Sequence, residues 1–236
     1  MLPALLQMLQ NALAGGDSVC FMLGQTGTGK TFTSTAIQDA VTQQLFALFP
    51  QEAATACISA FELQGNTAMR DLLRPGKCAP NSWVPNLALG SQCVNLLTAT
   101  MPCSKPNVLT DENGVAQVVG AHAAPVGSRE ELERAARVSA ANRRTRGTNR
   151  NTDGSSRSHA FLRLTFAARG HQAEGTFTLI DLAGSERNAD SAQHDAESRK
   201  EATQINSSLA TLKECLRQRA LHLRGAKACF TTLSLP

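Results

Sequence analysis

The apolar positions change period as the chain begins. Leu2, Leu5, Leu6, Leu9 and Leu13 share one face at helical spacing, with Pro3 near the start and Gly15-Gly16 after the end, and this predicts a helix. Five consecutive apolar residues, Val19 to Leu23, predict a buried strand. A glycine-rich stretch follows, then a second helical pattern carrying Ile37, Val41, Leu45 and Leu48 and stopped by Pro50. Residues 54–63 predict another strand. Residues 74–107, rich in Pro, Gly, Asn and Ser, predict a long surface loop. Val108-Leu109 and Val115 to Val119 flank Asp111-Glu112-Asn113-Gly114 and predict a hairpin. Ser128 and Glu131 have capping-box spacing for a helix reaching about Ala141. Leu162, Leu164 and Phe166 alternate within a strand over 160–168, which a turn at Arg169-Gly170 joins to a strand over 175–182. A last helix is expected from about Glu201 to Arg219. Helices and strands interleave, hairpins are present and no repeat is visible. The expected class is α/β with a mixed sheet.

Composition narrows this picture. The chain has 236 residues, 42% hydrophobic and 18% charged, within globular averages, so collagen-like and disordered classes are excluded. Tyr is absent and Trp occurs once, which argues against base stacking on aromatic platforms. Seven cysteines without C-x-x-C spacing suggest neither a disulfide framework nor a zinc site, and five scattered histidines give no metal constellation. No basic leader and no apolar run long enough to span a bilayer are seen, so a soluble intracellular chain is expected. The net charge of +4 is uneven: residues 197–236 carry seven basic and three acidic side chains, and the rest carry sixteen of each. A basic surface of this kind suits an acidic partner, although a solvated helix face is the plainer reading of charge by itself.

The sharpest chemistry lies between the first strand and the second helix. Gly24-Gln25-Thr26-Gly27-Thr28-Gly29-Lys30-Thr31 matches G-x-x-x-x-G-K-[ST], the P-loop. Its glycines let successive backbone N–H groups turn inward around phosphate oxygens. Lys30 would reach the terminal phosphates and the Thr31 hydroxyl would ligate Mg²⁺. Such a site needs an acidic residue at a strand end to hold the metal's water shell, and Asp181 meets that need. Gly184, three residues later, could sense a γ-phosphate through its N–H.

Three blocks together resemble the kinesin motor family: the P-loop string at 24–31, Ser155-Ser156-Arg157-Ser158-His159, which looks like switch I, and Asp181-Leu182-Ala183-Gly184-Ser185-Glu186-Arg187, which looks like switch II. Ile205-Asn206-Ser207-Ser208-Leu209 resembles the start of the helix after switch II, and all four stand in the family's order. The resemblance implies a P-loop NTPase of the kinesin motor fold, a mixed central sheet flanked by helices. It implies ATP and Mg²⁺ as ligands, with Gly24, Gln25, Thr26, Gly27, Thr28, Gly29, Lys30 and Thr31 around the phosphates. Ser155 and Ser156 would contact the γ-phosphate, Ser156 also the metal beside Thr31, and Asp181 would hold the metal through water. Arg157 would pair with Glu186 once the γ-phosphate is bound, placing the attacking water, and an Arg–carboxylate pair suits that task because it forms and breaks as a unit. His159 could help place the switch or be a satisfied turn histidine.

The implied activity is microtubule-stimulated ATP hydrolysis coupled to movement or to end depolymerisation, in the cytoplasm on the microtubule cytoskeleton. Tubulin would be the partner, with neither nucleic acid nor membrane, and any homodimer would form through segments outside this chain. Phe61 to Asn66, Asp71-Leu72-Leu73, Val118-Val119-Gly120 and Leu212 to Arg217 resemble the kinesin-13 class, which depolymerises microtubule ends. The alternatives are a non-enzymatic microtubule-binding pseudo-motor or inactive fragment, and some other P-loop NTPase. The resemblance covers about residues 1–220 as an incomplete motor domain. The family's opening strands and last helices are not seen, and 221–236 form a divergent tail. Asn151-Thr152-Asp153-Gly154, before switch I, is one residue longer than the family's pattern.

Overall fold

Strand alternation and helix stripes assemble around one sheet. The computed structural model describes residues 2–48, 54–64, 68–73, 106–110, 116–147, 157–168, 174–185 and 196–223. The helices are α1 (Leu2–Leu13), α2 (Lys30–Leu48), α3 (Arg129–Gly147) and α4 (Ala196–Leu223). The strands are β1 (Asp17–Met22), β2 (Ala54–Gln64), β3 (Ala68–Asp71), β4 (Asn107–Thr110), β5 (Ala116–Val119), β6 (Ala123–Val126), β7 (His159–Ala168) and β8 (Glu174–Asp181). The expected elements are all present. α3 and α4 run past their expected ends, and the turns expected at 111–114 and 169–170, with most of the loop at 74–107, lie outside the described residues.

The main sheet runs β1-β8-β7-β2-β3, with β6 also paired to β2. β1 and β8 are parallel; β8, β7, β2, β3 and β6 pair antiparallel, so the sheet is mixed as expected. β4 and β5 form a separate antiparallel ribbon. The alternation of β7 buries Leu162, Leu164 and Phe166 with Phe177 and Leu179 of β8, Ile58 of β2 and the apolar stripes of α1, α2 and α3. Residues of opposite parity, Phe21 and Ile180, turn to the other face, where α4 brings Ile205, Leu209 and Leu212 against Leu182 and Ala183. On that face Phe61 stacks on Phe161, its cross-strand partner, with ring centroids 4.9 Å apart.

Two sequence expectations need correction. The apolar run at 19–23 is only in part a buried strand: Met22 is buried, but Val19 is 52% exposed and Leu23, just past β1, is 49% exposed. Among the described residues β1 pairs with β8 on one edge alone, so its outward side chains lack a neighbouring strand to cover them. In α1 the buried stripe is Leu5, Leu9 and Ala12, and Leu2 is exposed. No helix among the described residues is long and apolar enough to cross a membrane.

The start of β8 passes so close to the end of α1 that a Cβ placed on Gly175 would overlap the Ala12 carbonyl oxygen. The atoms that the Cβ would meet belong to backbone, and the adjacent Thr176 N–H is tied to the Gly16 carbonyl at 3.0 Å, so neither side can yield cheaply. Gly175→Ala should destabilise the fold by about 2 kcal/mol or more, read as a lower urea midpoint with an unchanged slope.

Candidate functional site

The parallel pairing of β1 with β8 sets Met22 opposite Asp181 at the carboxyl ends of both strands. Ligands of open α/β sheets bind at such an end. The chain leaves β1 into the Gly-rich loop and enters α2 at Lys30, so the loop lies over the N-terminus of a 19-residue helix. Gly27 and Gly29 adopt φ of 82° and 85°, a region that residues with a Cβ avoid. A Cβ at either would meet nothing within 4 Å, so this backbone borders open space, as a phosphate cradle requires. The loop is braced by Thr28, whose hydroxyl donates to the Gln25 carbonyl at 2.7 Å, and by Lys30 Nζ, which donates to the same oxygen at 2.8 Å. Thr33 N–H donates to the Gly29 carbonyl at 2.9 Å and begins the helix. Gly24 and Lys30 are half-buried, and Gln25, Thr26, Gly27, Thr28, Gly29 and Thr31 are exposed.

Thr31 reaches across the sheet end, and its hydroxyl donates to Asp181 Oδ2 at 2.9 Å. The two residues are 150 positions apart, and they are the pair expected beside the metal. Asp181 Oδ1 is buried and makes no hydrogen bond to any described residue. A carboxylate oxygen in this position fits a metal-bound water as its partner. The donor set of a hydroxyl and a carboxylate is hard and suits Mg²⁺. The residues therefore fit Mg²⁺ with a nucleotide phosphate.

Sequence reasoning gave no role at this site to Arg143, Ser158, Glu62 or Arg70. Arg143 of α3 donates from Nη1 to Asp181 Oδ2 at 2.5 Å, with side chains 11% and 4% exposed. Its Nη2 donates to the Ser158 carbonyl at 3.3 Å. Ser158 in turn donates its hydroxyl to Glu62 Oε2 at 3.2 Å, and Glu62, buried in β2, pairs with Arg70 of β3 at 3.3 Å. The residue before β7 is thus held from both sides, by a guanidinium and by a buried carboxylate. A signal for Arg143 was present: it continues the buried face of α3 marked by Leu132 and Ser139. A charge on a buried stripe demands a buried counter-charge.

The start of α3 explains how Arg143 is aimed. Ser128 Oγ accepts from Glu131 N–H at 3.3 Å, while Glu131 reaches back to Gly127 N–H at 2.8 Å instead of to Ser128 itself. The expected capping box is therefore present but offset by one residue on its return bond. At the other end Asn142 Nδ2 donates to the Leu72 carbonyl at 2.7 Å, one residue before Arg143.

After Asp181 the backbone turns along the P-loop. Leu182 N–H donates to the Met22 carbonyl at 3.3 Å and Ser185 N–H to the Gly24 carbonyl at 3.1 Å. Between them Ala183 N–H donates to His159 Nδ1 at 3.1 Å. The buried Gly184 is therefore fixed by bonds on both neighbours. His159 is buried, and its pKa is pushed down to about 4, first by burial and then by the Arg143 guanidinium, with Asp181 acting in opposition. Its ring is neutral at physiological pH, consistent with the acceptor role of Nδ1. Arg157 is half-buried, and Ser155, Ser156 and Glu186 lie outside the described residues, as does the pairing expected of Arg157 with Glu186. No cluster of His, Cys, Asp and Glu that could hold a metal by itself occurs among the described residues.

Arg143→Met leaves the Asp181 carboxylate buried without its cation and should destabilise the fold by about 3 kcal/mol. Arg143→Met combined with Asp181→Asn should cost less than the sum of the single changes by about 1 kcal/mol or more, measured by urea unfolding of all four proteins.

The family model of the kinesin motor domain matches residues 3–226. Diatom spindle kinesin-1 of Cylindrotheca fusiformis is 30% identical over 219 residues, covering 90% of this chain and 30% of that protein. Mouse kinesin-like protein KIF24 is 30% identical over 215 residues, 89% of this chain and 14% of its own length. The chain thus spans less than a third of the length of these relatives. Among solved structures, a KIF14 dimer in its two-heads-bound state on a microtubule superposes with a TM-score of 0.66 at 20% identity, covering 98% of this chain and 63% of that one. The motor and motor homology domain of Kar3Vik1 gives 0.64 at 23% identity, covering 89% and 50%. The matched residues include the P-loop and both switch-like strings, and the chain belongs to the kinesin motor domain family.

Proposed function

We propose that this chain is the nucleotide-hydrolysing part of an ATP-dependent microtubule motor. The contact of Thr31 with Asp181 behind the P-loop carries this reading, because it joins the two ends of a Mg²⁺–nucleotide site across 150 residues. The N–H groups of Gly24 to Lys30 would hold the phosphates. Lys30 would exchange the Gln25 carbonyl, now 2.8 Å from its Nζ, for a phosphate oxygen. Thr31 would ligate the metal directly and Asp181 through water, with Ser156 completing that shell. Bound Mg²⁺ would neutralise charge on the phosphates. Ser155 would close over the γ-phosphate and Gly184 would sense it through its N–H. Arg157 and Glu186 would form the switch pair that places the water. Little covalent chemistry is asked of the protein, because phosphoryl transfer is mainly positioning and charge stabilisation.

The partner is tubulin, an acidic surface that suits the basic end of the chain. Part of that charge is spent internally: Arg217 pairs with Glu214 at 2.7 Å, and this bond, with that from Gln218, holds the pKa of the half-buried Glu214 down to about 2. The protein then works on the microtubule cytoskeleton in the cytoplasm, with any homodimer formed through segments beyond this chain. The finer placement is in the kinesin-13 class, supported by the strings at Phe61 to Asn66 and Leu212 to Arg217. Overall identity does not decide it, since two differently named relatives both stand at 30%.

Microtubules should stimulate ATP turnover by the protein, and Lys30→Ala should lower that turnover about 100-fold or more while leaving the fold intact by circular dichroism. An ATPase indifferent to microtubules would overturn the proposal. Shortening of stabilised microtubules from their ends would support the kinesin-13 placement, and gliding without shortening would oppose it.

A further inference from the structure

His159 stands at the first position of β7, on the sheet face that carries α4, and it touches two other elements. Its Nδ1 lies 3.1 Å from the Ala183 backbone nitrogen, and its Nε2 lies 2.9 Å from Ser208 Oγ of α4. The protons can be assigned from donors and acceptors. A backbone N–H only donates, so Nδ1 is an acceptor and carries no proton. The neutral ring then holds its proton on Nε2 and donates to Ser208 Oγ. Ser208 sends its own hydrogen to the Ile205 carbonyl at 2.7 Å. Each partner has one role here: the Ile205 carbonyl can only accept, and a proton moved to Nδ1 would set donor against donor at Ala183.

We propose that His159 is a positioning residue that ties the backbone beside Gly184 to helix α4, so that a shift of the one is carried to the other. This rests on the reading of Gly184 as the γ-phosphate sensor. Ala183 precedes Gly184, and on the far side Ser185 N–H is held by the Gly24 carbonyl of the P-loop at 3.1 Å. A pull on Gly184 toward phosphate must therefore strain one of two bonds, to the P-loop or to His159. The P-loop is anchored to the N-terminus of α2, whereas His159 leads to a helix that meets the sheet through a small apolar contact of Leu182, Ala183, Ile205 and Leu209. The apolar contact is non-directional and tolerates sliding; the two imidazole bonds are directional and set the register of α4 against Ala183. A histidine suits this better than a longer side chain because both nitrogens sit on one rigid ring, so displacement at one is delivered at the other.

The test uses the full chain, a fluorescent ADP analogue and stabilised microtubules. Ser208→Ala removes the outer bond without touching the nucleotide site. Nucleotide affinity and basal turnover should stay within about twofold, and stimulation by microtubules should fall about fivefold or more. Ser208→Thr, which keeps the hydroxyl, should restore it. His159→Asn, which places an acceptor near Nδ1 but cannot reach Ser208, should lose stimulation as Ser208→Ala does, and combining the two should add nothing further. Normal stimulation in Ser208→Ala, failure of Ser208→Thr to rescue, or losses that multiply in the double variant would each overturn the link. The bond is also read without nucleotide: imidazole ¹⁵N resonances should show a neutral ring protonated on Nε2, with the Nε2–H signal shifted in Ser208→Ala. A proton on Nδ1 would overturn the proposal whatever the turnover. A wild-type chain with the expected imidazole spectrum that binds no nucleotide would overturn the proposed function and, with it, the coupling role, while leaving the bond established.

Discussion

The carboxylate of Asp181 sits at the end of β8 with its side chain 4% exposed. Burying such a group is costly unless charge and hydrogen bonds meet it there, and breaking a buried pair costs about 3–5 kcal/mol. Arg143 and Thr31 meet it, one from α3 and the other from the first turn of α2. The demand of one buried anion therefore fixes where two helices end against the sheet. It also fixes where the P-loop lies, because Thr31 belongs to both. A nucleotide site built this way is assembled by folding itself, and the groups that would hold the metal already keep the fold together.

The two sheet faces divide the remaining tasks. On the face of α1, α2 and α3, a continuous apolar core of residues such as Phe177, Leu179 and Leu164 makes the frame rigid, and Asp181 lies at its edge. On the face of α4 the apolar contact is smaller, and the directional bonds of His159 do the aligning. Packing holds the part that must not move, and hydrogen bonds hold the part whose position must be defined yet able to change. The chain of polar groups from Arg70 through Glu62, Ser158 and Arg143 to Asp181 adds directional bonds to the rigid part as well, since each member lies in or beside the main sheet or α3.

Much of this was legible in the sequence because it is written locally. The P-loop is eight consecutive residues, and strand alternation exposes Leu162, Leu164 and Phe166 as one face. Asp181 closes an apolar strand, which is where a P-loop's metal needs an acid. Arg143 and Glu62 were not legible in that way. Arg143 meets Asp181, 38 residues away, and Glu62, besides its near partner Arg70, takes the Ser158 hydroxyl from 96 residues away, pairings that a local pattern does not specify. Arg143 is also one of three arginines within four residues, so composition hides it. Val19 misled for the opposite reason: an apolar run says that a strand forms, but the number of neighbours it receives is set by sheet order. His159 was left between two readings because its ring partners, Ala183 and Ser208, belong to two separate motifs.

The central claim is that Asp181 is the metal end of a nucleotide site. The Mg²⁺ dependence of nucleotide affinity tests it most directly, with a fluorescent ATP analogue titrated against the wild-type chain and Asp181→Asn, each with and without Mg²⁺. The account predicts that Mg²⁺ tightens binding to the wild type about tenfold or more and that Asp181→Asn loses most of that gain while still binding the metal-free nucleotide. An equal gain from Mg²⁺ in both proteins, or a wild type indifferent to Mg²⁺, would contradict it.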